Sequence, residues 1–479
     1  MDPYKIARSF CHWHTFRCAK VAHHLLPRRI ILWCPVFLAF ARCVSADGLS
    51  ASNAPPAPLP RYSLWQAINL ALQQNPDVLI ARKKLEEAAG GIIEARAGFL
   101  PSLTTWDNYQ KFESDYASLN GANPANRNEI WNVSVRLTET AFAGGAVRGK
   151  MSIARLNQQS RWLDYQTALD SVTLDVRVAF YEVLKDQSGM AVHQAAVDFL
   201  QKQLAYERQR LEIGTGQKLN SLRAEVELSL EQAALIESQN LWRNACLRLS
   251  ELLAIPCAPD LTQVPLTVDG SLEVEPFSLT EEQCFAAAME HRPKLKVSDN
   301  DLAVQQKQLI VDRSAVLPHV NLFAGYDVVS EPDRSLPDDY YKGYVAGVGV
   351  SWNIFDGFAA RGRMKATRAR IDEAEISRNA ISRRVRAEVM RAFHDLQRAR
   401  ETVSSQRENV ELAGQSQSLA EANFQQGLIA QLDLLQSRLD YTRAQTVELN
   451  ARFDYNTALA QLQRAMGSQF NLSETKEGK

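Results

Sequence analysis

Residues 142–151 read Phe-Ala-Gly-Gly-Ala-Val-Arg-Gly-Lys-Met, and residues 355–364 read Phe-Asp-Gly-Phe-Ala-Ala-Arg-Gly-Arg-Met. The two stretches stand 213 positions apart. That spacing then holds through Arg155/Arg368, Phe180/Phe393, Gly214/Gly427, Leu219/Leu432 and Leu222/Leu435. Upstream, Leu100-Pro101 returns as Leu317-Pro318, and Asn75-Pro76 as Arg292-Pro293. One supersecondary unit is built twice.

The glycines of the first stretch, ending in Gly149-Lys150, come close to a phosphate-binding loop. Met151 stands where such a loop needs a Ser or Thr for magnesium. The second copy replaces the lysine by Arg363 as well. A shared feature that drops its chemistry is a turn between two elements. What lies on either side says which elements. Downstream, no proline occurs from Ala125 to Ile255, or from Asp338 to the end of the sequence. Between Lys150 and Ile213 the only glycine is Gly189, and between Arg363 and Gln426 it is Gly414. These spans are rich in strong helix formers, so each reads as one helix of roughly 65 residues, about 100 Å long. Gly214-Thr215-Gly216 and Gly427-Leu428-Ile429 stop the two helices, as C-cap glycines do. Beyond them Leu219, Leu222, Val226 and Leu230, and likewise Leu428, Leu432, Leu435 and Leu439, recur at threes and fours. Such a seam is either a coiled-coil contact or plain helical core; both give a long helical hairpin in each unit.

Upstream of the turn the period changes to two. Trp131, Val133, Val135 and Leu137 alternate with Asn132, Ser134, Arg136 and Thr138. In the second unit Tyr344, Ala346, Val348, Val350, Trp352 and Ile354 alternate with glycine, serine and asparagine. Alternation means strand, and about 12 residues suffice for a tilted transmembrane strand. A second, less regular strand runs from Pro101 to Phe112 and from Pro318 to Val329. Trp106, Tyr109, Phe323, Tyr326, Tyr340 and Tyr341 cluster around these runs, like an interfacial girdle. An ordinary water-soluble sheet would show the same alternation. Four strands cannot close a barrel, and open edges are not tolerated in lipid. If the strands cross a membrane, several chains must pool them.

At the N-terminus, Arg28-Arg29 precede an apolar stretch from Ile30 to Phe40, with Val44-Ser45-Ala46 as a small-residue cleavage site. The stretch is too short to span a bilayer, and residues 1–46 read as a signal peptide. The segment before it is long and points to a start downstream of Met1. Cys11, His12, His14, Cys18, His23 and His24 look metal-like but fall in the part expected to be removed. Arg42 argues against lipidation of Cys43. The chain carries 54 basic and 55 acidic residues. Seven basic and one acidic lie in residues 1–46, so the remainder holds 47 and 54, a net charge of minus seven. Nothing there calls for nucleic acid. Cys246, Cys257 and Cys284 show no framework spacing; a Cys246–Cys257 bridge and three free thiols are equally open. No apolar stretch reaches 18 residues, which excludes a helical inner-membrane transporter. The histidines are scattered without nucleophile or ligand spacing, and no catalytic constellation, metal site or cofactor motif emerges.

Over residues 62–467 the chain resembles the outer-membrane efflux and secretion channels typified by TolC. The Leu-Pro before a strand, the aromatic-x-Gly turn into Arg-Gly, and a glycine followed five residues later by Leu-Asp/Asn-x-Leu carry the resemblance. The last appears as Gly427 to Leu435 and as Gly214 to Leu222. The resemblance implies a mainly α protein with a membrane β-barrel portion. Internally duplicated long helical hairpins form an α-barrel, and four strands per chain close a twelve-stranded barrel in a homotrimer. It would sit in outer-membrane lipid and extend into the periplasm. It would meet a periplasmic adaptor and an inner-membrane pump of RND or ABC type. Its parts would be a Pro-rich linker 47–61, repeat 1 at 62–255, a linker 256–277, repeat 2 at 278–467 and a tail 468–479. The linker and the tail would form a mixed region at the middle of the helical barrel.

The same resemblance places the hairpin turns, Gly214, Thr215, Gly216, Gly427, Leu428 and Ile429, at the periplasmic tip against the adaptor. Asp433 matches an aspartate that narrows the pore there, and three copies would favour cations. Asn220 replaces the acid in repeat 1 and Gln436 replaces a second acidic ring. Ile429 stands where an arginine helps lock other members. These departures argue against that salt-bridge latch and for a polar constriction through Gln217, Asn220, Gln431 and Gln436. Two functional classes follow: a passive, non-enzymatic exit duct opened by adaptor and pump, or a soluble periplasmic coiled-coil adaptor or scaffold. The cargo is not encoded in any feature of the chain.

Overall fold

The computed structural model describes residues 61–111, 129–256, 266–330 and 340–467. The signal peptide, Cys43, Cys257, most of the Pro-rich linker and the C-terminal tail lie outside these residues. Repeat 1 comprises β1 (Arg61–Tyr62), α1 (Leu64–Gln74), α2 (Pro76–Ala97), β2 (Ser102–Lys111), β3 (Glu129–Ala143), α3 (Ala146–Glu212) and α4 (Lys218–Leu252). After β4 (Thr267–Val268), repeat 2 follows with α5 (Glu281–His291), α6 (Pro293–Ser314), β5 (His319–Ser330), β6 (Tyr340–Ser351), α7 (Ala359–Gln425) and α8 (Gln431–Met466). α3 and α7 each have 67 residues, about 100 Å at 1.5 Å per residue.

Local chemistry sets the boundaries. Ser63 and Gln66 form a reciprocal capping box on α1, and Thr280 and Gln283 repeat it on α5, each satisfying two orphan N–H groups. Pro76 and Pro293 open α2 and α6 at a position where no donor is needed. Asn75, just before, ties repeat 1 together: its Nδ2 donates to Leu252 O at 3.0 Å. Arg292 does the same in repeat 2, donating to Arg464 O and to Glu388, both at 2.7 Å. Gly144 and Gly357 take φ of +56° and +68° in the strand-to-helix turn, a region that disfavours side chains. In repeat 2 Asp356 Oδ2 accepts from Ala360 N at 2.7 Å and caps α7. The lysine of the P-loop-like stretch, Lys150, is an exposed residue of the first turns of α3.

β2, β3, β5 and β6 form one antiparallel sheet in the order β2-β3-β5-β6. Among the described residues no further strand pairs with either outer strand. β6 starts at Tyr340 and stops at Ser351, so Trp352 and Ile354 belong to the following turn and not to the strand, as the alternation had suggested. Trp352 Nε1 instead donates to Val316 O at 3.1 Å. The helical part has two cores, one per repeat, at the middle of the long helices. The first gathers Val172, Val176, Phe180 and Val183 of α3 with Ala67, Leu249 and Leu253. The second gathers Val385, Val389 and Leu396 of α7 with Cys284, Tyr455 and Leu462. The linker joins the first core: β4 pairs in parallel with β1, and Leu266, Val268 and Leu272 are buried there. Tyr455 OH donates to Glu275 O, tying the linker to α8. α3 lies centrally, packed against α2, α4, α6 and α8, whereas α7 touches mainly α6 and α8. Among the described residues no helix is long and apolar enough to cross a membrane.

Candidate functional site

Two ends of the molecule carry function. At the sheet, pairing settles which residues share a face. One face carries Val133, Val135 and Leu137 beside Leu322, Ala324 and Tyr326, and then Tyr344, Ala346 and Val348. Asp107 on edge strand β2, Glu139 opposite Leu322 and Lys342 opposite Val328 interrupt this apolar series. The other face carries Asn132, Ser134, Arg136, Thr138, Asn321, Asp327, Gly343, Gly347 and Gly349, interleaved with Trp106, Phe323, Tyr341 and Val345. Trp106, Phe323 and Tyr341 therefore face away from Tyr109, Tyr326 and Tyr340 and do not share one girdle with them. Mostly apolar on one side and mostly polar or small on the other is the division expected between lipid and lumen. Towards one end of the sheet the apolar face is rimmed by aromatic rings: Tyr109 and Trp131 are paired, Trp131 lies 6.3 Å from Tyr340, and Tyr326 lies 5.2 Å from Tyr344. On the polar face Asp327 accepts from Ser134 Oγ at 2.5 Å and faces Arg136 at 3.6 Å. The Arg136 guanidinium lies 5.5 Å from the Phe323 ring centre. The alternation put Ser134 and Arg136 on the polar face of β3; their contact with Asp327 needed the register of β3 on β5.

At the opposite end the hairpin turns close as expected from their glycines. Gly214 N donates to Leu211 O and Thr215 N to Arg210 O; Gly427 N donates to Phe424 O and Leu428 N to Asn423 O. Both are Schellman caps, with φ of +79° at Gly214 and +74° at Gly427. Gly216 is needed as well, since a Cβ there would lie 2.7 Å from Leu211 N. Leu428 is exposed and Ile429 half-buried beside the second turn. Asp433 is exposed in the first turn of α8, and its Oδ2 accepts from Ala430 N at 3.3 Å. A carboxylate there also suits the positive helix terminus.

The residues expected to line a polar constriction do not share one surface in the single chain. Gln217 is exposed just before α4. Gln436 is exposed and donates to Asp440 at 3.0 Å. Asn220 is half-buried, and Gln431 is only 3 % exposed. Gln431 Nε2 donates to Asn220 O at 3.1 Å, so this pair joins the two repeats. The leucine seams also differ from expectation. Leu219, Leu222, Val226, Leu432 and Leu439 are about half exposed or more, and they face one another across a groove of about 390 Å³. Near the tip the buried residues are Ser221 and Ala224 on α4, and Leu434, Leu435 and Arg438 on α8, so of the seam only Leu435 is buried.

Behind this surface lie polar groups that the sequence did not mark. Glu207 is 0 % exposed; its Oε1 accepts from Gln203 at 3.3 Å and its Oε2 has no partner. Arg438 is buried with its guanidinium 5.3 Å from the Phe199 ring and 5.7 Å from Tyr441. Burial lowers its pKa from the usual range, against the pull of Tyr441 and Glu231. The one available signal was their position on the buried face of an otherwise apolar period. His193 Nδ1 contacts Glu231 at 2.7 Å within the first hairpin. Cys246 and Cys284 are free and buried; burial first, then Asp186, pushes the Cys246 thiol up to about 12.

An apolar-faced sheet with two open edges, set at one end of two 100 Å helical hairpins, defines a membrane-inserted helical duct. The family comparison agrees: residues 67–254 and 285–468 match the outer membrane efflux protein family, and the chain belongs to it. It is 23 % identical to the protein CyaE of Bordetella pertussis over 360 residues, 74 % of each chain. It is 21 % identical to the outer membrane protein TolC of Escherichia coli, covering 85 % of this chain and 82 % of that one. The Campylobacter jejuni CmeC outer membrane channel superimposes with a TM-score of 0.73 at 16 % identity, over 84 % of this chain and 85 % of that one. The Vibrio cholerae outer membrane protein VceC gives 0.72 at 17 %, over 84 % and 96 %.

Proposed function

We propose that three copies of this chain form a passive exit duct, without catalysis. The duct crosses the outer membrane as a twelve-stranded barrel and is opened at the hairpin tip by a periplasmic adaptor and an inner-membrane pump. The sheet supports this reading most directly. Its apolar face suits lipid, and its two unpaired edges would each leave a row of N–H and C=O groups without partners there. A soluble scaffold has no use for such a face. Three exposed Asp433 side chains around a narrow mouth would favour cations. The test is single-channel conductance of the purified protein in a planar bilayer, wild type against Asp433→Ala. Small cation-selective openings that grow in the variant support duct and gate together. Folded, oligomeric protein that never conducts would sink the reading in favour of the scaffold.

A further inference from the structure

The aromatic residues on the polar face of the sheet stand beside its one ion pair. We infer that each copy carries a site for an organic cation, a quaternary ammonium or guanidinium group, on the lumen wall between Trp106 and Asp327. The site rests on the reading above, in which the polar face lines the lumen. Trp106, Ser134, Asp327 and Gly343 form one row across the four strands. Trp106 is 58 % exposed on the face turned to water. Its indole has a negative π-face and is the best side-chain platform for a cation. Asp327 stands two strands away, about 10 Å between backbones at the usual strand spacing. A cation held over the indole is therefore within reach of the carboxylate.

The groups nearby decide the sign of the ligand. Apart from His319 at the start of β5, Arg136 and Asp327 are the only formally charged side chains that the described strand residues place on this face. They cancel, so the aromatic faces set the preference. Arg136 shows what such a place accepts. Its guanidinium is held by an aromatic face and a carboxylate together, Phe323 and Asp327. Phe323, Gly325 and Asp327 are successive inward positions of β5, and Arg136 pairs opposite Gly325, in the gap between ring and carboxylate. A Cβ on Gly347 would lie 2.9 Å from the Phe323 ring, so glycine there leaves room for that ring.

The internal cation is loosely held. The Arg136 and Asp327 side chains are 45 % and 30 % exposed, and ion pairs so open to water contribute little. Ser134 Oγ keeps its own hydrogen bond to Asp327. On the other flank of Asp327 lies Gly343, where nothing stands within 4 Å of an added Cβ. The carboxylate is thus open to a second cation, which takes it over from the Trp106 side while Arg136 stays on Phe323. An exposed site of this kind binds weakly. That suits a duct, since cargo must leave as readily as it enters.

The test uses choline and its uncharged isostere 3,3-dimethyl-1-butanol, read by saturation-transfer NMR on the full protein in an uncharged detergent. Choline is expected to bind, and the isostere to bind several-fold more weakly. Asp327→Asn and Trp106→Leu are each expected to weaken choline binding several-fold. Arg136→Gln removes the internal competitor and is expected to tighten it several-fold, a gain that damage to the fold does not mimic. Equal binding of choline and the isostere overturns the site, and so does choline binding unchanged in Asp327→Asn. Binding that is no tighter in Arg136→Gln overturns the exchange with Arg136. Basal conductance of each protein is measured alongside. Wild-type protein that conducts but binds no choline overturns the site and leaves the duct standing. Folded wild-type protein that never conducts removes the reading on which the site rests.

Discussion

α3 and α7 have the same length and the same place in their repeats, yet they live in different surroundings. α3 is enclosed by neighbours along both flanks. α7 buries Ala360 and Thr367 near its start and one stripe through Val385, Val389, Ala392, Leu396, Ala399 and Val403, and leaves most of its other flank exposed. Where the two helices share an environment they share chemistry: Val176 and Val389, 213 positions apart, are both fully buried in the two cores. Where they differ, the residues differ in a directed way. The Ser160 and Ser171 hydroxyls, half-buried inside the chain, become Glu373 and Arg384 on the bare flank.

The strongest way to break this contrast is to put bulk where each glycine sits. Gly149→Leu would drive a side chain into Val311 inside the chain and lower the stability of the monomer, by about 1–3 kcal/mol for overpacking. Gly362→Leu would leave the monomer intact and abolish the trimer, read by mass in mild detergent. Equal loss of monomer stability in both variants would mean that α7, like α3, is enclosed within one chain.

Deletion of apolar bulk gives a smaller version. Leu163→Ala should cost the chain itself about 2–5 kcal/mol, as buried leucines do. Ile376→Ala should leave chemical unfolding of the monomer within about 0.5 kcal/mol, as exposed positions do, and shift only the concentration at which trimers dissociate. By contrast Val176→Ala and Val389→Ala should destabilise the monomer alike, because the two cores are equivalent.

The smallest effect concerns a site where the repeats diverge inside the helical wall. Burial raises the pKa of Asp186 above its ordinary value, partly offset by Lys185 at 3.2 Å; the counterpart is Ala399. A carboxyl whose folded pKa is raised is destabilising while ionised, and the cost fades as pH falls through the folded pKa towards the unfolded one. Asp186→Asn is therefore expected to stabilise modestly at pH 7 and to lose that advantage under acid conditions. A gain that persists unchanged at low pH would mean that packing, and not charge, sets the cost.

Much of this architecture was legible because it rests on local rules. Proline-free runs, the Gly214 and Gly427 stops and the period-two alternation of Trp131 to Leu137 each act within a few residues. The tip was less legible. Leucines at threes and fours announce an apolar face, but not what that face meets; here Leu219 and Leu432 look across an open groove while Ser221 and Ala224 are the buried residues. Gln431 read as a polar residue near a turn and so as a lining candidate. Only the approach of α4 to α8 turns it inward, where its amide finds the Asn220 carbonyl. Glu207 and Arg438 were hard to read for the same reason, marked only by their place on an otherwise apolar period.

The sequence by itself determined the duplication, the two 67-residue helices, the four strands and the turns that join them, because hydrogen-bonding geometry, helix caps and side-chain periodicity are near-neighbour effects. Tertiary structure alone decided the strand order β2-β3-β5-β6, the Arg136–Asp327 pair, and which of two equal helices is enclosed. Those depend on pairings between residues nearly two hundred positions apart, and local periodicity carries no information about partners at that distance.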